Sequence, residues 1–154
     1  MEIHALEVRL TDADVADLAQ RAVRDHDQLS DLRIRISSEG VHVSGTLHLM
    51  LRVPFETLWA LSIRSGTLAV TLADLKAGGF PAGMLKGVLM SMIESEVERE
   101  PGVTVDGHTV VLDADRMIAA QGIQIHTNLA GVACQTGTLI LRCEAGSADS
   151  LRVA

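Results

Sequence analysis

The strongest constraint in this chain is a run of alternating side chains from residue 41 to 53. Val41, Val43, Leu47, Leu49, Leu51 and Val53 fall on one side, and His42, Ser44, Thr46, His48, Met50 and Arg52 on the other. Period-two alternation belongs to an extended strand with one buried face, because successive side chains point to opposite sides of a sheet. The pattern predicts one long strand over 41–53 and therefore a twisted or bent sheet with an aliphatic face.

The neighbouring segments repeat the pattern. Leu32, Ile34 and Ile36 alternate with Arg33 and Arg35, and Ser37-Ser-Glu-Gly40 supplies a turn. Trp59, Leu61 and Ile63 share a face in 57–65. Ser65-Gly66 turns the chain into 67–75, where Leu68, Val70 and Leu72 alternate with smaller residues. Consecutive short connections predict an antiparallel meander. Residues 2–10 read as a further strand, 103–112 as a hairpin about Asp106-Gly107, and 123–134 with 138–144 as a last hairpin.

Two main helices punctuate the strands. Thr11-Asp-Ala-Asp14 places a Thr cap before a carboxylate at the third helical position, ahead of an apolar stripe from Val15 to Val23. The second helix is read over 82–100, between Lys76-Ala-Gly-Gly-Phe-Pro81 and Pro101-Gly102. Its apolar residues Met84, Leu85, Val88, Leu89, Met90, Met92, Ile93 and Val97 spread over an arc of about 240°, wider than a surface helix needs. Asp113 opens a third, short helix. The expected architecture is α+β: a curved antiparallel β-meander wrapped against one long amphipathic helix, with a shorter helix near the N-terminus. Residues 1–146 are expected to form one domain, followed by a loose tail over 147–154.

Composition narrows the function. Twenty acidic residues against thirteen Lys and Arg give a net charge of −7, and aromatic residues are 2% of the chain. A phosphate-backbone partner needs clustered cations, and base stacking needs rings, so no nucleic-acid partner is expected. No apolar run reaches the roughly 20 residues of a membrane span. The opening MEIHALEVRL lacks the basic and apolar regions of a signal peptide, so a cytoplasmic location is expected, with Cys134 and Cys143 as free thiols.

Catalytic and cofactor motifs are missing. Gly-x-Ser-x-Gly, His-Glu-x-x-His, the phosphate loop and the dinucleotide fingerprint do not occur. Ala77–Gly83 lacks phosphate-loop spacing, and Pro81 removes an N–H there. His42 and His48 share a strand face about 20 Å apart and cannot chelate one ion. Asp113-Ala-Asp115 reads as a helix cap before it reads as a metal site. Glu94, Glu96, Glu98 and Glu100 crowd the helix end that disfavours anions. No enzyme, cofactor or metal is expected.

The remaining signal is aliphatic and rich in methionine, which suits an irregular apolar partner such as acyl chains. On these residues alone, an ordinary core with a homodimer seam is the leading expectation, ahead of such a partner. The segments TDADVADLAQRAV, LRIRISSEGVHVSGTLHLMLRVPF, LSIRSGTLAVTLADLKAGGFP, PGVTVDG and NLAGVACQTGTLIL together resemble the tubular lipid-binding (TULIP-like) superfamily, especially its uncharacterised bacterial members. The resemblance covers residues 3–144. It implies an apolar groove for lipid, lined by Met84, Leu85, Val88, Leu89, Met92 and Ile93 of the helix. The facing strand positions would be Val43, Leu47, Leu49, Leu51, Trp59, Leu61 and Ile63. Two functions are thus expected. One is non-enzymatic binding of a lipid or other long apolar molecule, with Leu89→Glu abolishing retention in a folded protein. The other is an interaction module whose apolar helix face pairs two copies.

Overall fold

The period-two segments fold as strands, and their pairing divides them between separate sheets. The computed structural model describes residues 5–23, 27–79, 81–98, 100–125, 128–144 and 151–153. In chain order the elements are β1 (Ala5–Thr11), α1 (Asp12–Ala22), β2 (Leu29–Ser37), β3 (Gly40–His48), β4 (Arg52–Arg64), β5 (Thr67–Ala77) and α2 (Ala82–Val97). They continue as β6 (Val103–Asp106), β7 (Thr109–Leu112), α3 (Ala114–Ala119), β8 (Ile123–Ile125), β9 (Leu129–Gln135), β10 (Thr138–Glu144) and β11 (Leu151–Val153). A six-stranded antiparallel sheet runs β2-β3-β4-β5-β7-β6, a three-stranded one runs β1-β10-β9, and β11 pairs with β8. In the last pairing Leu151 lies opposite Ile125 and Val153 opposite Ile123.

The chain is α+β and rich in antiparallel sheet, but the expectation of a meander wrapped on one long helix is overturned. The described residues form two main sheets and three short helices. Two physical reasons account for the difference. The run 41–53 is not one strand, because the chain reverses at Leu49–Leu51 and Leu47 pairs with Val53. That turn carries no Gly, Pro, Asn or Asp, so turn chemistry gives no warning of it. The second reason is a non-local pairing. β1 pairs along its whole length with β10, Leu10 opposite Leu139 and Val8 opposite Leu141, which draws β1 and the β9–β10 hairpin into their own sheet.

One face of the large sheet carries the core. Ile36, Val41, Trp59 and Leu72 are buried there, beneath Leu89 and Met90 of α2 and Leu139 of β10. A second cluster of Leu47, Val53, Phe55 and Leu85 occupies the end of the sheet beside the β3–β4 hairpin. Helix α2 and the small sheet therefore share one covering layer.

Local chemistry fixes the joints. Gly40 (φ 141°) follows the β2–β3 turn, and a Cβ there would run into the Trp59 carbonyl. Thr11 caps α1 in a reciprocal box: its Oγ1 accepts from the Asp14 N–H, and its own N–H donates to the Asp14 carboxylate at 2.9 Å. Hydrogen bonds from the Thr11 backbone and then its side chain hold the Asp14 carboxyl below its ordinary value of 3.8. Their contribution is present above that pH and is lost as pH falls through the lowered value. The edge of β2 is closed at Ile36, whose N–H donates to Asp12 Oδ1 (2.9 Å) and whose carbonyl accepts from the Gly137 N–H (2.9 Å).

Asp12→Ala leaves the partly buried Ile36 N–H without its acceptor. It should destabilise the protein by about 1–3 kcal/mol, read from the urea midpoint, while Asp12→Asn, which keeps an acceptor oxygen, should lose less.

Candidate functional site

Of the thirteen residues expected to line a groove, ten lie in or against the two core clusters, where they touch one another. Trp59 and Leu89 are buried in the first cluster, with Val43, Leu61 and Ile93 packed against it. Leu47 and Leu85 are buried in the second, with Leu49, Val88 and Met92 packed against it. Leu47 and Leu85 are each 0% exposed. Ile63 belongs to neither cluster and lies opposite Leu68 in the β4–β5 ladder. Leu51 and Met84 stand out of the core, 71% and 61% exposed, and Met50 at the hairpin tip is wholly exposed.

This arrangement has a polar anchor. Thr57 is buried, donates through Oγ1 to the Val43 carbonyl (2.8 Å) and accepts from the Trp59 indole N–H (2.8 Å). The hydroxyl satisfies the one polar atom of the indole, which fixes the ring across the sheet.

Helix α2 is held by its packing more than by its ends. Pro81 supplies no side-chain cap, the first turn has no acid and the last has no base. Glu94, Glu96 and Glu98 stand toward the end where the backbone dipole disfavours negative charge. Gly79 (φ 74°) and Pro81 lead into the helix, and Pro101 with Gly102 (φ 83°) follows it. The wide apolar arc is not surrounded. Leu85, Leu89 and Met90 face inward, whereas the exposed side holds Gly83, Met84, Gly87, Ser91, Glu94, Ser95 and Glu98.

A second concavity lies across β2 to β5 and was not foreseen. It is an open trough of about 720 Å³, to which Asp31, Arg33, Ser44, Thr46, Glu56 and Lys76 contribute. Strand parity contained the signal: Arg33, Ser44, Glu56 and Lys76 occupy successive register positions on the side opposite the aliphatic face. Two cations and two anions give it no net sign and no reactive pair.

The polar candidates resolve into structural roles. His42 and His48 hydrogen-bond to Ser37 Oγ (2.8 Å) and Ser30 Oγ (2.6 Å) on β2, and His108 is exposed at a turn. His4, His26 and His126 lie outside the described residues. Asp113 caps α3 by accepting from the Arg116 N–H. Among the described residues no cluster of ligands suits a metal ion. Cys134 lies opposite Leu139, and a bulge at Arg142/Cys143 places Cys143 opposite Leu129. Both cysteines are free; burial pushes both thiols up, with the Asp115 charge adding at Cys143. A raised thiol is a poorer nucleophile near neutral pH. No described helix is long and apolar enough to cross a membrane. Compared with known proteins, the chain matches no family model, no curated protein and no solved structure.

The burial of Leu89 changes what its substitution reports. Leu89→Glu would place a carboxylate among Trp59, Leu72 and Met90 and is expected to unfold the protein at a much lower denaturant concentration, so it does not isolate ligand retention. Thr57→Val should cost about 1–3 kcal/mol by orphaning the indole N–H, whereas Thr57→Ser should recover most of that loss; equilibrium unfolding followed by Trp59 fluorescence checks both.

Proposed function

We propose that the chain is a non-enzymatic binding protein for a long apolar ligand of the acyl-chain class. The ligand is taken up between α2 and the aliphatic face of the large sheet. The likeness to tubular lipid-binding proteins belongs to this proposal and rests on the quoted segments.

The observation that carries the reading is apolar surface left open beside a buried cluster. Leu49 packs onto the cluster of Leu47, Val53, Phe55 and Leu85, while its chain neighbours Met50 and Leu51 are exposed. Leu85 is buried in the same cluster, and its neighbour Met84 is exposed. Covering a leucine or methionine side chain is worth roughly 1.5–3 kcal/mol, so these positions favour an apolar occupant. Because the inner positions fill one another, entry requires α2 to shift. Its start carries no side-chain cap, and Gly79 (φ 74°) lies in the segment that enters it.

The alternative, a homodimer seam on the apolar face of α2, has less support, because Leu85, Leu89 and Met90 already pack against the sheets.

Native mass spectrometry of the purified protein, followed by organic extraction, tests the reading. The expected result is bound mass that extracts as lipid, or saturable uptake of a fluorescent fatty acid by stripped protein. Leu51→Asp combined with Met84→Asp, both at exposed positions, should weaken that uptake by about tenfold or more with the circular dichroism unchanged. Stripped wild-type protein that takes up no fatty acid, and purifies without lipid, would sink the proposal.

A further inference from the structure

Strand β1 is an open edge with a self-complementary sequence. In its sheet β1 pairs with β10 alone, so alternate N–H and carbonyl groups on its other side have no strand partner among the described residues. Edge strand β2 of the large sheet is instead closed at Ile36 by Asp12 and Gly137. On β1, Leu6 is 51% and Val8 37% exposed, although both stand on the face that carries Leu10 into the core. Glu7 and Arg9 alternate with them and are exposed, and Glu7 also meets Arg142 at 3.5 Å.

We infer that β1 is a homodimerisation edge, at which two copies pair antiparallel about Val8 and join their three-stranded sheets into one of six strands. Residues directly opposite in an antiparallel ladder point to the same face, so a two-fold axis perpendicular to the sheet must centre on a residue. Centring on Glu7 sets two carboxylates opposite each other, and centring on Arg9 sets two guanidinium groups opposite. Centring on Val8 sets Glu7 opposite Arg9 of the second copy, twice by symmetry. It also brings Leu6 against Leu10 and Val8 against Val8, so the apolar row continues across the axis. Cross-strand pairs of opposite charge stabilise such a ladder, and like pairs weaken it. The charges thus select one register among the three near the strand centre. The second copy is favoured over an unrelated strand because this strand complements its own reverse. The inference is independent of ligand binding.

The test is a concentration series in analytical ultracentrifugation on lipid-stripped protein, with charge swaps. Wild type is expected to dimerise. Glu7→Arg and Arg9→Glu, each of which sets like charges opposite, should each raise the dimer dissociation constant about tenfold or more. The double swap, Glu7→Arg with Arg9→Glu, restores opposite pairs and should return it to within about threefold of wild type. Circular dichroism checks that each variant is folded. Hydrogen exchange on wild type supplies a readout free of mutation, with protection over residues 6–10 that grows with concentration. A monomer at every concentration, a dimer indifferent to the single swaps, or single-swap losses that the double swap does not repair would each overturn the inference.

Discussion

The fold turns on the backbone of Ile36. Its side chain is fully buried in the main cluster, its N–H donates to Asp12, and its carbonyl accepts from the Gly137 N–H. Three parts of the chain meet at this residue: the large sheet through β2, the N-terminal helix through Asp12, and the small sheet through the β9–β10 turn. A sheet edge without partners is an aggregation hazard, and buried polar backbone without partners costs free energy. Both problems are solved at one place. The closure holds the small sheet over the aliphatic face, so Leu139 can pack on Ile36, Val41 and Trp59.

Sharing that face defines the position of α2. The small sheet occupies part of the covering layer, and α2 spans the rest, reaching from the Trp59 cluster to the Leu47 cluster. Leu85, Leu89 and Met90 pack it onto the sheets, and its start carries no side-chain cap. Beneath it, the Thr57–Trp59 hydrogen bond orders the sheet without tying it to the helix. The layer is thus rigid on the strand side and weakly directed on the helix side. Hydrophobic contact is non-directional, so the helix can move with less polar loss than a strand can. The proposed acyl-chain ligand would exploit that asymmetry.

Much of this was legible in the residues, and the failures have particular causes. Alternation identified the buried parity of Val43, Leu47, Trp59 and Leu61, and the Thr11–Asp14 box located α1. Asp106-Gly107 marked the β6–β7 hairpin. Leu51 was misplaced because continuing the parity of 41–53 carried it through a turn built from Leu, Met and Leu. The partner of β1 was illegible for a different reason. Alternation tells which side chains share a face but not which distant strand lies alongside, and β10 is separated from β1 by most of the chain. The breadth of the apolar arc on α2 misled as well. Arc width ignores side-chain size, and Gly83, Gly87, Ser91 and Ser95 leave its outer side with little to bury.

The Leu49–Leu51 turn and strand β1 differ in a way that bears on what each can accept. The Leu49–Leu51 turn puts apolar side chains at a hairpin tip, where the backbone reverses and no ladder continues. A partner there gains side-chain contact and little backbone bonding, which fits a ligand without hydrogen-bonding geometry of its own. Strand β1 offers the reverse: regularly spaced backbone groups, modest apolar area, and charges at fixed intervals. A flexible hydrocarbon cannot satisfy those backbone groups, whereas another strand can, in a register that Glu7 and Arg9 restrict. Charge on an edge strand commonly deters pairing by setting like against like. Here one acid and one base flank Val8 symmetrically, so the same device that repels most strands attracts its own reverse.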